Sequence, residues 1–167
     1  MPDFDPQHDP HLDPHLDPGQ TAPANSLPRD GGGNTALTDF AGKPVVVYFY
    51  PKDDTPGCTI EAKGFTDMVE DFAAAGATVL GISKDSVKKH DKFRDKYGLR
   101  IALLSDEAGD VCERYGVWAE KSMYGKTYMG IERATFLIDG AGKIVRVWRK
   151  VKVEGHVDEV LAAARAL

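Results

Sequence analysis

The run Val45-Val46-Val47-Tyr48-Phe49-Tyr50 is the strongest constraint on the fold of this chain. It is apolar without alternation, so the strand it predicts is covered on both faces, and the covering elements are helices. The run stops at Pro51, a polar loop follows, and Cys58 stands where the next helix should begin. Phe65, Met68, Val69, Phe72 and Ala73 fall at i, i+3, i+4, i+7 and i+8 and predict a helix over 59–75. Ala62 and Cys58 extend the stripe back to the helix start, and Gly76 ends it. Thr78-Val79-Leu80-Gly81-Ile82-Ser83 reads as the next buried strand, which completes a βαβ unit with a right-handed crossover.

The rest of the chain extends this unit. A second helix, roughly 86–97, starts after Asp85 as its cap and stops at Gly98. A short strand at 101–104 precedes a helix near 109–115, with Val111, Cys112 and Tyr115 on one face. Residues 117–132 have mixed patterning and predict a loop. Residues 134–139 and 143–148 flank Asp139-Gly140-Ala141-Gly142 and predict a hairpin, and an amphipathic helix over about 156–166 closes the chain. Upstream, residues 19–44 are turn-rich and predict short strands or hairpin pieces, then a short turn into the first main strand. Parallel strands come first and an antiparallel hairpin last. The fold class is therefore α/β: a thioredoxin-like fold with an N-terminal extension and a mixed sheet flanked by helices on both faces.

Length suits one domain plus an extension, with a core large enough to need no disulfide staples. Residues 1–18 hold five Asp, five Pro, three His and no Lys or Arg. Proline recurs there at every fourth position, which forbids a helix, and the few apolar residues cannot offset ordering entropy. The expectation is a disordered acidic tail over 1–18 and a folded domain over 19–167. A sharper reading, weak metal binding by His8, His11 and His15 with the aspartates, runs against the ordering cost of a floppy site. Packing of the tail on a neighbour is also open. The net charge of −5 lies in this tail, and the body is balanced, with 21 acidic and 21 basic residues. No clustered Lys/Arg footprint points to nucleic acid, and no run approaches the ~18 apolar residues of a membrane span. The N-terminus has no basic and apolar leader pattern, so the expected location is cytoplasmic. Two cysteines, Cys58 and Cys112, are too few for a disulfide scaffold and suggest one buried and one reactive thiol.

Cys58 is the candidate reactive thiol. A free cysteine has a pKa of about 8.5, and a drop of about two units makes the thiolate the majority species at neutral pH. A helix start favours the anion through unpaired N–H groups and the dipole. Thr55 places a hydroxyl three residues earlier, and a cation from elsewhere could approach. Pro51 and Pro56 stiffen the loop, and Gly57 lets the backbone turn tightly into the helix. The alternative is a structural cysteine on the helix stripe, but a core cysteine needs no threonine at that spacing and no rigid polar loop.

Tyr48-Phe49-Tyr50-Pro51 followed by Thr55-Pro56-Gly57-Cys58-Thr59 resembles the active-site signature of peroxiredoxins, most closely the bacterioferritin comigratory protein or peroxiredoxin Q subfamily. The resemblance continues through Leu80-Gly81-Ile82-Ser83, Leu103-Leu104-Ser105-Asp106, Gly116-Val117-Trp118, Gly125-Lys126-Thr127-Tyr128 and Phe136-Leu137-Ile138-Asp139, and covers about residues 19–166. It implies a thiol-dependent peroxidase that reduces hydrogen peroxide and organic hydroperoxides without metal, haem or flavin. It makes Cys58 the peroxidatic cysteine, Thr55 the hydroxyl that holds the peroxide, Pro51 the shield of the thiolate and Arg133 the active-site arginine. Glu61 and Gly57 would support the site. Many members of the subfamily carry a resolving cysteine where this chain has Lys63. The expectation is therefore a one-cysteine cycle, reduced by thioredoxin, glutaredoxin or a small thiol, in a monomer or weak dimer. The alternatives are a two-cysteine cycle with Cys112 resolving, a disulfide reductase on the same fold, or a binding protein. The reductase usually needs a second thiol close to the first, and the segment before Cys58 offers Asp54 and Thr55 instead.

Overall fold

In the computed structural model of the chain, residues 16–167 are described. The strand β3 (Val45–Phe49) is buried along its whole length, as an unalternating apolar run requires. It lies at the centre of a five-stranded sheet with β4 (Thr78–Ser83), β5 (Ala102–Ser105), β8 (Ala134–Ile138) and β9 (Ile144–Trp148), in the order β5-β4-β3-β8-β9. β3, β4 and β5 are mutually parallel; β8 runs antiparallel to β3 and β9 antiparallel to β8. Two short strands, β1 (Ser26–Pro28) and β2 (Asn34–Ala36), pair as a hairpin before the sheet begins.

Strand periodicity divides the core into two layers. Val45, Val47 and Phe49 point into one, with Leu80, Ile82, Leu104, Phe136 and Ile138. Val46, Tyr48 and Tyr50 point into the other, with Val79, Leu103 and Leu137. The second layer is closed by α1 (Pro56–Asp67), α2 (Val69–Ala74), α3 (Val87–Tyr97) and α5 (His156–Arg165), which supply Phe65, Phe72, Phe93, Val160 and Leu161. The first is closed by the short α4 (Val111–Arg114), with Val111, Cys112 and Tyr115, and by Leu27 of the N-terminal hairpin. Helices stand on both faces, but unevenly.

Three local expectations are corrected. The helix over 59–75 is two helices: the backbone leaves helical geometry at Met68 (φ −103°, ψ 9°), while the apolar positions stay in phase, so the stripe hides the break. The cap of α3 is Ser86, whose Oγ accepts from the Lys89 N–H at 3.2 Å; Asp85 accepts from the Ser83 hydroxyl and the Asp53 N–H instead. Residues 117–132 are not a loop but an antiparallel hairpin, β6 (Trp118–Met123) and β7 (Lys126–Ile131). Its two-residue turn, Tyr124-Gly125, has positive φ at both positions (53° and 78°), the geometry that matches strand twist. Most of its side chains are exposed, so no apolar alternation marked the strands.

The tail reading and the metal reading of His8, His11 and His15 fall outside the described residues. Leu16 packs on the first layer, and the Gly19 N–H donates to the Ile144 carbonyl at 2.7 Å.

Candidate active site

Cys58 sits in the first turn of α1, three residues past Thr55, which takes the N-cap position with extended backbone (φ −97°, ψ 155°). Pro56 at the first helical position has the φ that a helix needs and no N–H to leave unpaired. The Thr59 N–H donates to the Thr55 carbonyl at 2.8 Å and closes the turn around the thiol. Cys58 is 1% exposed.

The cation expected near Cys58 is Arg133, which stands between β7 and β8. Its Nη2 donates to Cys58 Sγ at 3.3 Å, and its Nη1 donates to Glu61 Oε1 at 2.6 Å. The planar guanidinium thus spans sulfur and carboxylate with one rigid fork. Its own carbonyl accepts from the Val151 N–H at 3.0 Å, which ties the residue to the segment after β9. Gly57 makes room for this approach: a Cβ there would lie 3.2 Å from Arg133 Nη2.

Glu61 is fully buried, and its second oxygen has no hydrogen-bond partner among the described residues. Burial dominates its ionisation and lifts its pKa to about 7, although the charge and hydrogen bond of Arg133 pull the other way. The Tyr48 hydroxyl is likewise buried and unpartnered; it packs against Gly81, where a Cβ would stand 2.9 Å from the ring.

Thr55 is near the thiol in sequence, but its hydroxyl proton is committed: Oγ1 donates to the Lys52 carbonyl at 2.8 Å. Its lone pairs are therefore what it offers an incoming ligand. Pro51 is exposed at the start of the loop. Lys63 is exposed on α1, with its ammonium 5.9 Å from the Tyr97 ring. Lys121, on the hairpin read as a loop, carries a further cation toward the site; burial and the nearby Arg133 hold its ammonium below the usual lysine value.

Cys112 is not brought to Cys58. It lies in α4, in the first core layer, whereas Cys58 lies in the second, with the sheet between them. Both thiols are free. Burial, followed by the adjacent Asp106 carboxylate, pushes the Cys112 thiol far up from its ordinary value, the environment of an inert thiol. Among the described residues no cluster of His, Cys, Asp or Glu is placed to hold a metal, and no helix is long and apolar enough to cross a membrane.

A buried thiol at a helix start, fixed by a guanidinium, is an arrangement for nucleophilic sulfur chemistry. Comparison with known proteins agrees. Residues 18–147 match the AhpC/TSA family. A putative peroxiredoxin bcp from Coxiella burnetii is 58% identical over 143 residues, which span 86% of this chain and 95% of the relative. The chain belongs to the AhpC/TSA family of peroxiredoxins. Within it, the chain falls in the Bcp, or peroxiredoxin Q, subfamily. Peroxiredoxin Bcp from Bacillus subtilis is 50% identical over 86% of this peroxiredoxin and 91% of its own length. The structure of Xanthomonas campestris peroxiredoxin Q superposes with a TM-score of 0.81 at 50% identity, over 85% of this chain and 90% of that one. A PrxQ from Xylella fastidiosa superposes at 0.86 with 42% identity, over 91% and 97%. The protein is an enzyme of the thiol peroxidase class on a thioredoxin-like fold.

Proposed function

We propose that Cys58 is the peroxidatic cysteine of a one-cysteine cycle, within a catalytic domain spanning 19–167. The observation that carries this reading is the bridge of Arg133, 3.3 Å from Cys58 Sγ on one side and 2.6 Å from Glu61 on the other. A guanidinium hydrogen bond to sulfur is stronger to a thiolate than to a thiol, so Arg133 is placed to hold the sulfur as it attacks. The thiolate attacks one oxygen of the peroxide; the S–O bond forms as the O–O bond breaks. Cys58 becomes a sulfenic acid, and the departing hydroxide or alkoxide takes up a proton to leave as water or alcohol. Arg133 faces the charge that develops on the departing oxygen. Thr55, its own proton held by Lys52, accepts the peroxide O–H and orients it. Pro51 shields the thiolate at the loop mouth.

The position of the sheet between Cys58 and Cys112 supports the one-cysteine reading. An external thiol then condenses with the sulfenic acid, releasing water and leaving a mixed disulfide, and a second thiol frees Cys58. Thioredoxin, glutaredoxin or a small thiol each supplies that chemistry. Two free thiols suit a reducing, cytoplasmic setting. One equivalent of hydrogen peroxide added to the reduced protein, followed by intact and peptide mass analysis, tests the cycle. Sulfenic acid confined to Cys58 is expected. A Cys58–Cys112 linkage overturns the one-cysteine cycle, and the absence of oxidation at Cys58 overturns the assignment of the nucleophile.

A further inference from the structure

The loop that carries Thr55 into Cys58 is tied down almost wholly from one side. The Asp53 N–H donates to Asp85 Oδ2 at 2.8 Å, in the turn before α3. Asp54 has φ of 60°, a left-handed conformation disfavoured for a residue with a side chain. Its carboxylate accepts from the Tyr97 hydroxyl at 2.6 Å and from Lys96 Nζ at 2.8 Å, both at the end of α3. Between these anchors, the Asp53 carboxylate accepts from the Tyr50 hydroxyl at 2.6 Å and meets His90 Nδ1 of α3 at 2.6 Å.

His90 is fully buried, and its other nitrogen lies 2.9 Å from the Leu104 carbonyl of β5. Both partners of the ring are acceptors. A neutral imidazole has a single N–H and can satisfy only one of them. The pair therefore holds one proton more than a neutral histidine beside a carboxylate, and an imidazolium between two acceptors satisfies every contact. The groups facing the ring are Asp53 of the loop and Tyr50 just after β3, Asp85 from the turn before α3, and the Leu104 carbonyl of β5. Lys52, Lys89, Lys92 and Lys96 line the outer cleft over Asp53. Burial lowers the histidine pKa, but the Asp53 hydrogen bond and charge, the Leu104 carbonyl and Asp85 together outweigh it, and the net shift is upward.

We propose, building on the reading of Cys58 as the peroxide-reactive thiol, that Asp53 and His90 are positioning residues for the peroxide step, a buried carboxylate–imidazolium pair that locks the Thr55 loop to α3 and β5. The pair acts through geometry. It holds the chain at Asp53, between Lys52 and Asp54, so the Lys52 carbonyl stays under the Thr55 hydroxyl and the lone pairs of Thr55 stay aimed at the peroxide site. The pair does not touch the sulfur.

The test measures two reactions of Cys58 in the full chain: the second-order rate with hydrogen peroxide by stopped flow, and alkylation by iodoacetamide, which does not use Thr55. His90→Leu is expected to slow the peroxide reaction by about tenfold or more, the scale on which misplaced groups cost rate, while alkylation is not slowed. Asp53→Asn is expected to act in the same direction and serves if His90→Leu does not fold. A control variant in the opposite core layer, Ile144→Ala, is expected to lower the melting temperature while retaining the wild-type peroxide rate. In the wild type, nitrogen NMR of His90 at neutral pH is expected to show both ring nitrogens protonated. A wild-type peroxide rate in both pair variants overturns the positioning role, as does an equal loss in Ile144→Ala at matched stability. A single ring proton at neutral pH overturns the charged pair. If the wild type itself does not react at Cys58, the underlying functional reading fails instead.

Discussion

Glu61→Gln isolates the energetic conflict at the centre of the site. Glu61 is fully buried, keeps one hydrogen bond to Arg133 and leaves its second oxygen unpartnered. Its pKa rises from the ordinary 4.5 to about 7, because the loss of water outweighs the attraction of Arg133. The direction of the consequence follows from proton binding. Below pH 4.5 both folded and unfolded chains hold the proton, and nothing is lost. Between pH 4.5 and about 7 the unfolded chain releases a proton that the native state keeps, so stability falls as pH rises. At about 1.4 kcal/mol per pH unit, the accumulated loss reaches about 3 kcal/mol above neutrality. Glutamine has the same shape, offers an amide oxygen to Arg133 Nη1 and never ionises. The variant is therefore expected to match wild type near pH 4.5 and to exceed it progressively toward pH 8. Urea unfolding of both proteins at four or five pH values across this range measures the difference through the midpoints at constant slope. A variant less stable than wild type at pH 8, or an offset that does not change with pH, refutes the reasoning: the carboxylate would then be better solvated, or more strongly held by Arg133, than its burial implies.

Arg133→Ala is expected to cut the second-order rate with peroxide by about 10²–10³, the scale of losing one donor aimed at developing charge. Arg133→Lys should recover only part of it, since an ammonium cannot bridge Glu61 and Sγ with a fixed fork. An unchanged stopped-flow rate in the alanine variant would refute the assignment. Gly81→Ala forces a Cβ to 2.9 Å from the Tyr48 ring, so thermal or urea unfolding should report about 1–3 kcal/mol of destabilisation from overpacking. His156 is buried beside Thr135, and burial lowers its pKa to about 4. Its folded value lies below its unfolded one, so the stability it protects is present above pH 6.5 and lost as pH falls toward 4, by about 3 kcal/mol. His156→Gln should flatten that acid limb in pH-dependent unfolding.

What could be read in advance was whatever repeats locally. The unalternating run of β3, the apolar stripe of α1 and the break at Pro51 each express their physics within a few residues, and together they placed Cys58 in the first turn of a helix. Arg133 lies 75 residues from Cys58, and no local pattern separates it from any arginine before a strand; only the family resemblance singled it out. Asp53 and His90 are 37 residues apart, and Asp54 and Tyr97 are 43 apart. In the sequence they are ordinary charged or polar residues of a loop and a helix. Their pairing exists only because α3 packs beside the β3–α1 loop. The β6–β7 hairpin escaped notice for the opposite reason. Most of its side chains face solvent, so burial imposed no alternation, and its Tyr124-Gly125 turn lacks the asparagine or aspartate that usually marks such geometry.

The two halves of the proposed cycle make opposite demands on this one loop. Peroxide is small, and its reaction needs the loop held: Thr55 oriented by Lys52, Asp54 kept in a disfavoured conformation by Lys96 and Tyr97, Asp53 clasped by His90. The reductant is a thiol, on a protein or a larger molecule, and it must reach a sulfur that is 1% exposed. Cys112 cannot relieve this by moving alone, because the central sheet lies between the two thiols. Access must come from the first turn of α1, where the bond from the Thr59 N–H to the Thr55 carbonyl closes the chain over Sγ. Oxidation of the thiolate removes the charge that Arg133 was holding, so the contact that secures the turn weakens at the step where the thiol needs entry.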